Sequence, residues 1–125
     1  MRIITKDKAL HVSKPEGLNV FYYLFPEYEV HYNEQPPKSA QTWHHHEKIT
    51  ETIYVIEGEL IAKWKENGEV KTQIVKEGDL IETEHSPHTF INETNKTVKF
   101  IVIKQVLTGV NKREVLKNDK VIDQE

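Results

Sequence analysis

Three consecutive histidines, His44, His45 and His46, stand in the middle of the chain, and Glu51 and His88 follow them. Imidazole nitrogens and carboxylate oxygens are ligands that divalent metal ions take from proteins. The chain contains no cysteine, so a metal site here would use nitrogen and oxygen atoms only. The candidate ligands of one divalent ion (Fe, Mn, Ni or Zn) are therefore His44, His46, Glu51 and His88.

Strand geometry decides which of these side chains can meet. Successive side chains on a β-strand point to opposite faces, so His44 and His46 share a face about 6.6–6.8 Å apart along the backbone. Glu51 follows His46 at an odd interval, and one unbroken strand would send it to the wrong face. The short polar segment 47–50 predicts a turn that returns Glu51 to the histidine face, ahead of a strand over 52–56.

The histidine run has two interpretations on spacing alone. The first is a metal site from which His45 points away. The second is a solvated polar loop in which the histidines occur by chance. The run is internal, which argues against a purification tag, and the spacing favours the metal site.

The second half of the chain adds a related pattern. A glycine is followed by a turn with a proline, then by a histidine, and then by an asparagine four residues later, at Gly78, Pro87, His88 and Asn92. With His44, His46, Glu51 and Gly58, this pattern resembles the two motifs of the cupins, in particular the small single-domain members of the cupin 2 conserved-barrel family. The resemblance implies a jelly-roll β-barrel with His44, His46, Glu51 and His88 as metal ligands.

Two positions depart from the motifs. Lys38 stands where a glycine often precedes the first histidine. The turn before His88 is one residue shorter than usual, and the segment 84–86 replaces the usual proline-x-glycine. This leaves His85 as a weaker ligand candidate, for which a turn residue at the barrel mouth is the preferred interpretation.

The composition fits one soluble domain. Charged residues make up 30% of the 125 residues, with a formal net charge of −3 and only two arginines, Arg2 and Arg113. A nucleic-acid-binding protein would need a basic patch, so no nucleic-acid partner is expected. No apolar run approaches the 18 residues of a membrane span, and no signal peptide is recognised. We expect no membrane partner, and the cytoplasm is the default location.

The pattern along the chain is β almost throughout. Short alternating segments are separated by turn signals, such as Asn67-Gly68, which predicts a hairpin. This favours an all-β sandwich or barrel, and the resemblance narrows it to the jelly roll. We expect a single cupin domain over 1–125, with a barrel core over about 35–106 and a charged tail over about 107–125. A short helix over Lys112–Lys117 is considered in the tail.

The segment 18–33 holds six of the eleven aromatic residues. It predicts one or two strands packed on the barrel, and part of it is a candidate homodimer interface because aromatic residues are enriched at such surfaces. Cupins commonly dimerise, so a homodimer is expected. His11 and His31 lack ligand spacing and are interpreted as structural.

Three functions are consistent with the resemblance. The preferred hypothesis is a metal-dependent oxidoreductase, dioxygenase-like, acting on a small organic molecule; catalytic residues other than the ligands are unknown. The second is a non-catalytic module that binds or senses a small molecule. The third is a sugar or sugar-nucleotide isomerase or epimerase, which needs an acid–base group in the cavity, with Tyr54, Glu82 and His85 as candidates.

Strand parity also predicts the character of the binding cavity. A largely apolar cavity is expected, which favours an organic ligand with a small chelating group over a bare sugar. The residues expected to line it are Ile53, Val55, Phe90, and some of Leu60, Ala62 and Trp64.

Overall fold

The structure is a computed structural model, and it describes residues 1–106. The predicted tail over about 107–125, including the short helix, lies outside the described residues. A single 3₁₀ turn at Lys6–Lys8 precedes ten strands. The strands are β1 Leu10–Ser13, β2 Asn19–Leu24, β3 Tyr28–Gln35, β4 Ser39–Ala40, β5 Ile49–Glu57, β6 Glu59–Glu66, β7 Glu69–Lys76, β8 Leu80–Glu82, β9 His88–Asn92 and β10 Val98–Val106.

The strands form two antiparallel sheets that pack face to face as a jelly-roll barrel. Six strands are ordered β1-β2-β3-β10-β5-β8, and four are ordered β4-β9-β6-β7. The inward faces of both sheets supply one apolar cluster, which includes Val55, Leu60, Phe90 and Phe100, each at most 2% exposed. The all-β barrel predicted from the sequence is confirmed.

Two turns depend on residues that tolerate a positive φ. Asn67 and Gly68, at φ 50° and 77°, close the predicted hairpin between β6 and β7. Gly58, at φ 94°, connects β5 to β6, and a Cβ placed there would lie 2.9 Å from Cγ2 of Val98. Gly58 is therefore required both by its backbone angle and by its close approach to β10.

A row of mainly apolar side chains crosses the outer face of the six-stranded sheet. The aromatic segment forms β2 and β3, as predicted, and its outward residues continue onto β10, β5 and β8. The row follows the strand register from His11 through Phe21, Tyr32, Ile101 and Tyr54 to Leu80. Tyr54 and Leu80 are 46% and 59% exposed.

The described part of the chain is almost free of helix. Within residues 1–106, no helical segment has the length and apolar character of a membrane span.

Candidate metal centre

A backbone bridge between the two sequence motifs brings their histidines together. The amide of His44 donates to the carbonyl of His88 at 3.1 Å, and the amide of His88 donates to the carbonyl of His44 at 2.9 Å. The two imidazole rings consequently lie with their centroids 4.5 Å apart. The predicted strand over the histidines is reduced to this single bridge, yet His44 and His46 point to the same side, with ring centroids 5.2 Å apart.

Glu51 lies at the centre of the histidine group. The turn predicted before it is shorter than expected, because β5 already begins at Ile49, and Glu51 shares the inward face of β5 with Ile53. Its Oε2 lies 3.3 Å from Nε2 of His46, and its Oε1 lies 3.3 Å from Nε2 of His88. Ligand atoms of His44, His46 and Glu51 all lie within 4.8 Å of one another, so these three residues could hold a metal ion.

Backbone carbonyls fix the orientation of two of the rings. Nδ1 of His44 lies 2.7 Å from the carbonyl of Thr42, and Nδ1 of His88 lies 2.7 Å from the carbonyl of Ser86. A carbonyl can only accept, so each Nδ1 carries the proton and donates it. Each Nε2 is then left with its lone pair, which is the arrangement a metal-ligating histidine requires.

The polar atoms of the group fit a bound cation. Nε2 of His46 and Nε2 of His88 are buried and have no hydrogen-bond partner among the described residues, although each lies 3.3 Å from an oxygen of Glu51. Buried nitrogens normally have a partner. Imidazole nitrogens beside a buried carboxylate are the donors that a divalent ion takes.

The charges within the group are arranged for ligation. Burial raises the pKa of Glu51, but His88, Lys104 and His46 outweigh burial and hold that pKa below its usual value. Burial holds the pKa of His46 below its usual value. Burial also lowers the pKa of His88, but contact with the Glu51 carboxylate and the Ser86 carbonyl outweighs burial and raises it. An ionised Glu51 and a neutral His46 are the forms that bind metal.

Beside this group lies a cavity of about 280 Å³, called the metal-side cavity here. Ten of its lining residues are polar or charged and six are apolar, so the lining is mixed, whereas the sequence predicted a largely apolar one. The polar lining residues are Lys14, Glu16, His31, Asn33, Gln41, Thr42, His44, His46, Glu51 and Lys104, and the apolar ones are Leu18, Val20, Tyr22, Ile53, Phe100 and Val102.

Of the residues expected to line that cavity, only Ile53 does so. Val55 and Leu60 are fully buried in the core. Ala62, Trp64 and Phe90 line a second cavity of about 320 Å³, on the β6–β9 side, which His88 also borders.

The weaker sequence candidates lie away from the metal-side cavity. His45 is exposed and lies 3.3 Å from Glu47, as expected for a residue on the opposite face. His85 is an exposed turn residue whose Nε2 lies 2.9 Å from the carbonyl of Ile49. Tyr54 is on the outer face, and Glu82 is exposed beside the second cavity. None of the three acid–base candidates is among the described residues that line the metal-side cavity.

Sequence reasoning missed three polar groups that do line it. Nζ of Lys104 lies 3.8 Å from Oε2 of Glu51. His31 is 4% exposed and pairs with Glu29, and the side-chain amide of Asn33 is buried. The sequence signal that could have identified two of them is the alternation of Glu29, His31 and Asn33, which places three polar side chains on one face of a strand.

Asn92 of the second motif has a structural role. Its side chain is fully buried, and its Nδ2 lies within 3.1 Å of the carbonyls of Gln35, Pro36 and Lys96. These hydrogen bonds connect β9 to the end of β3 and the residue after it, which precede the histidine run.

The sequence profile described as "Cupin domain" matches residues 28–104, which is more than half of the chain. The chain belongs to the cupin family. This match includes both motifs and all four candidate ligands. No curated protein matches the sequence.

Several solved structures have a similar fold. A predicted oxalate decarboxylase from Thermotoga maritima is 21% identical, with a TM-score of 0.70 over 85% of this chain and 100% of that chain. A sugar phosphate isomerase of the cupin superfamily from Silicibacter pomeroyi is 15% identical, with a TM-score of 0.68 over 85% and 76%. The iron(II) form of HppE with an alternative substrate is 18% identical, with a TM-score of 0.69 over 82% and 59%. At these identities the likeness shows the fold.

Proposed function

We propose that this cupin is a metal-dependent enzyme that acts on a small organic molecule, with one divalent ion held by His44, His46, Glu51 and His88. The observation that carries the proposal is a pair of buried Nε2 atoms beside the Glu51 carboxylate, neither of which has a hydrogen-bond partner within residues 1–106. A buried polar atom left unpaired costs roughly 1–3 kcal/mol. A cation at this position would remove that cost for both imidazoles.

Four protein ligands leave two positions of a six-coordinate ion for an organic molecule or dioxygen. When bound, the metal would supply Lewis-acid or redox chemistry. The chain itself supplies a mixed cavity in which Lys104 offers a positive charge and Gln41 and Asn33 offer amides. This lining favours an organic ligand with several oxygen atoms, such as a hydroxy acid.

Dioxygenase-like oxidation is the proposed reaction. The donor set admits iron, because imidazole suits iron as well as zinc, copper and nickel, and support for iron comes from the iron(II)-bound structure among the similar folds. The direct test is oxygen uptake by the iron-loaded protein with a panel of hydroxy acids and hydroxy ketones. We expect uptake that His46→Ala abolishes. Ligand binding without any turnover would instead identify a binding module.

Isomerisation is the second candidate, and one observation favours it. His31 lines the metal-side cavity and pairs with Glu29, so it could move a proton there, a requirement that Tyr54, Glu82 and His85 do not meet. A sugar phosphate isomerase has the same fold. Rearrangement of a substrate without oxygen uptake would select this reaction over oxidation.

A homodimer and a cytoplasmic location are also part of the proposal. The apolar row on the outer face of the six-stranded sheet, defined above, supports the dimer. It crosses six strands and includes exposed Tyr54 and Leu80. Burial of such a row against a second copy would remove apolar surface from water. The cytoplasmic location stays a prediction from the sequence.

A further inference from the structure

The strand β3 reverses the usual distribution of polar and apolar residues. Its inward positions hold Glu29, His31 and Asn33, and its outward positions hold Val30 and Tyr32. His31 and Asn33 are 4% and 3% exposed. Burial of polar groups is costly unless they have partners, so this polar inward face requires an explanation.

The first part of that face is a carboxylate–histidine pair. Nε2 of His31 lies 2.8 Å from Oε2 of Glu29, and the side chain of Glu29, near the start of the strand, is 41% exposed. A carboxylate only accepts, so Nε2 carries the proton and Nδ1 of a neutral His31 keeps its lone pair. Within residues 1–106 no hydrogen bond is made to this Nδ1. The ring of Tyr22 packs edge-on against His31 at 4.3 Å between centroids and holds its orientation.

The second part is an amide without a partner. Nδ2 of Asn33 is buried and makes no hydrogen bond with the described residues, although Asn33 lines the metal-side cavity together with His31. Gln35, next on the same face, is fully paired: its Nε2 donates to the carbonyl of Phe90, and its Oε1 accepts from Gln41. The unpaired donor is therefore specific to the position that borders the cavity.

The strand register places this pair close to the candidate metal ligands. Glu29 is opposite Lys104 on β10, and Lys104 is opposite Glu51 on β5. Two strand spacings separate Glu29 from Glu51, roughly 10 Å between backbones. Their side chains and that of His31 project into the same side of the barrel. A molecule of a few carbon atoms can reach from Glu51 to His31.

We propose that His31, oriented by Glu29, is the base that removes a proton from the organic molecule held at His44, His46 and Glu51. This inference rests on the proposed metal site and on isomerisation, the second candidate reaction, and it gives that reaction a hydroxy ketone as substrate. The C–H bond next to the carbonyl breaks, its electron pair forms the C=C bond of an enolate, and the proton passes to Nδ1 of His31. Return of that proton to the same carbon restores the substrate. With a hydroxy ketone, the proton can instead return to the former carbonyl carbon while the hydroxyl proton moves to the enolate oxygen, so that the carbonyl and the hydroxyl exchange places. Either route restores a neutral base, and no oxidant is consumed.

Asn33 and Lys104 complete the arrangement. The free amide of Asn33 donates to an oxygen of the substrate, and Lys104 balances the negative charge that develops during proton removal. Burial lowers the pKa of His31, while Glu29 and Glu51 raise it and Lys104 lowers it further, with a net decrease. His31 is thus neutral, and able to accept a proton, at pH 7.

The test is exchange of carbon-bound hydrogen for deuterium. The zinc-loaded protein is incubated without oxygen in D₂O with hydroxyacetone or pyruvate, and the loss of C–H signal is followed by proton NMR. His31→Gln should slow exchange by about 100-fold or more, with zinc stoichiometry unchanged. His11→Gln removes an exposed histidine from the outer face and should leave exchange unchanged.

The Glu29→Gln variant tests whether Glu29 orients the His31 ring or only stabilises the fold. Nitrogen-15 shifts of His31 in the metal-free protein should show a proton fixed on Nε2, and this preference should be lost in Glu29→Gln while the thermal midpoint stays close to that of the original protein. Equal exchange rates in the original protein and His31→Gln, or no exchange with either probe, would overturn the proposal. Loss of zinc from the original protein would instead contradict the proposed metal site. Exchange in this test, together with no oxygen uptake by the iron-loaded protein in the separate aerobic assay, would support the base and contradict only the oxidative reaction.

Discussion

His44 and His88, 44 residues apart in the sequence, each donate a backbone hydrogen bond to the other's carbonyl. This paired bridge holds their rings 4.5 Å apart between centroids. Each ring is then fixed by a hydrogen bond from Nδ1 to a nearby carbonyl. The backbone thus positions the candidate metal centre. Folding of the barrel brings the ligands together, so metal binding does not bear the entropic cost of ordering them.

Metal affinity should fall as the pH is lowered, because protons compete with the ion for the imidazoles. The pKa of His46 is below and that of His88 above the usual value of 6.5. Near pH 6.5, His46 is therefore already neutral while His88 still carries a proton. Metal affinity should keep rising above pH 6.5, because His88 loses that proton there. Calorimetric titration in buffers of different ionisation enthalpy should show proton release near pH 6.5 that shrinks by pH 8. Constant affinity over this range would contradict the assignment of His88.

Lys104→Gln should strengthen metal binding. Nζ of Lys104 lies 3.8 Å from Oε2 of Glu51, where its charge repels an incoming cation. Its removal should increase affinity by about tenfold, or ~1.4 kcal/mol. Lys99→Gln is the matched control, because Lys99 is on the same strand but pairs with Glu57 on the outer face. Competition with a chromogenic chelator measures both variants, and equal affinities would show that Lys104 does not act on the site.

Gly58→Ala should destabilise the barrel. The added Cβ would lie 2.9 Å from Cγ2 of Val98, and the backbone is at φ 94°, so overpacking and strain together should cost about 1–3 kcal/mol. Gly68→Ala is the control, since φ is also positive but no atom lies within 4 Å of the added carbon. Urea denaturation of both variants should show the larger loss for Gly58→Ala.

The double substitution Tyr54→Glu and Leu80→Glu should separate the expected dimer. The two residues are opposite each other in the register and exposed on the six-stranded sheet. Burying two carboxylates of like charge in a dimer interface at this position would cost free energy. Ile74→Glu, at an exposed position of the other sheet, should leave the dimer intact. Light scattering after size exclusion gives the masses. A monomer in the original protein, or an unchanged mass in the double variant, would contradict the outer-face interface.

Local patterns in the sequence predicted much of the site. The Asn67-Gly68 hairpin follows from backbone preference, and the shared side of His44, His46 and Glu51 follows from strand parity with a parity-resetting turn. These features depend on residues close in sequence.

The inward face of β3 could not be predicted in the same way. The hydrophobic pattern of Val30 and Tyr32 favours an inward position for them, yet both point outward and His31 and Asn33 point inward. The apolar side of this strand covers the outer surface, and its polar side faces a cavity. Only the register with β10, whose partner residues are 63–77 positions away in the sequence, decides this.

Metal content of the untagged protein, purified without chelator and without oxygen, tests the central claim most directly when it is measured beside His46→Ala and His45→Ala. His46 points its buried Nε2 at Glu51, whereas His45 is exposed on the opposite face. About one equivalent of a divalent metal should be found in the original protein and in His45→Ala, and almost none in His46→Ala. Loss of metal from His45→Ala but not from His46→Ala, or no metal bound even after it is added back, would contradict the account.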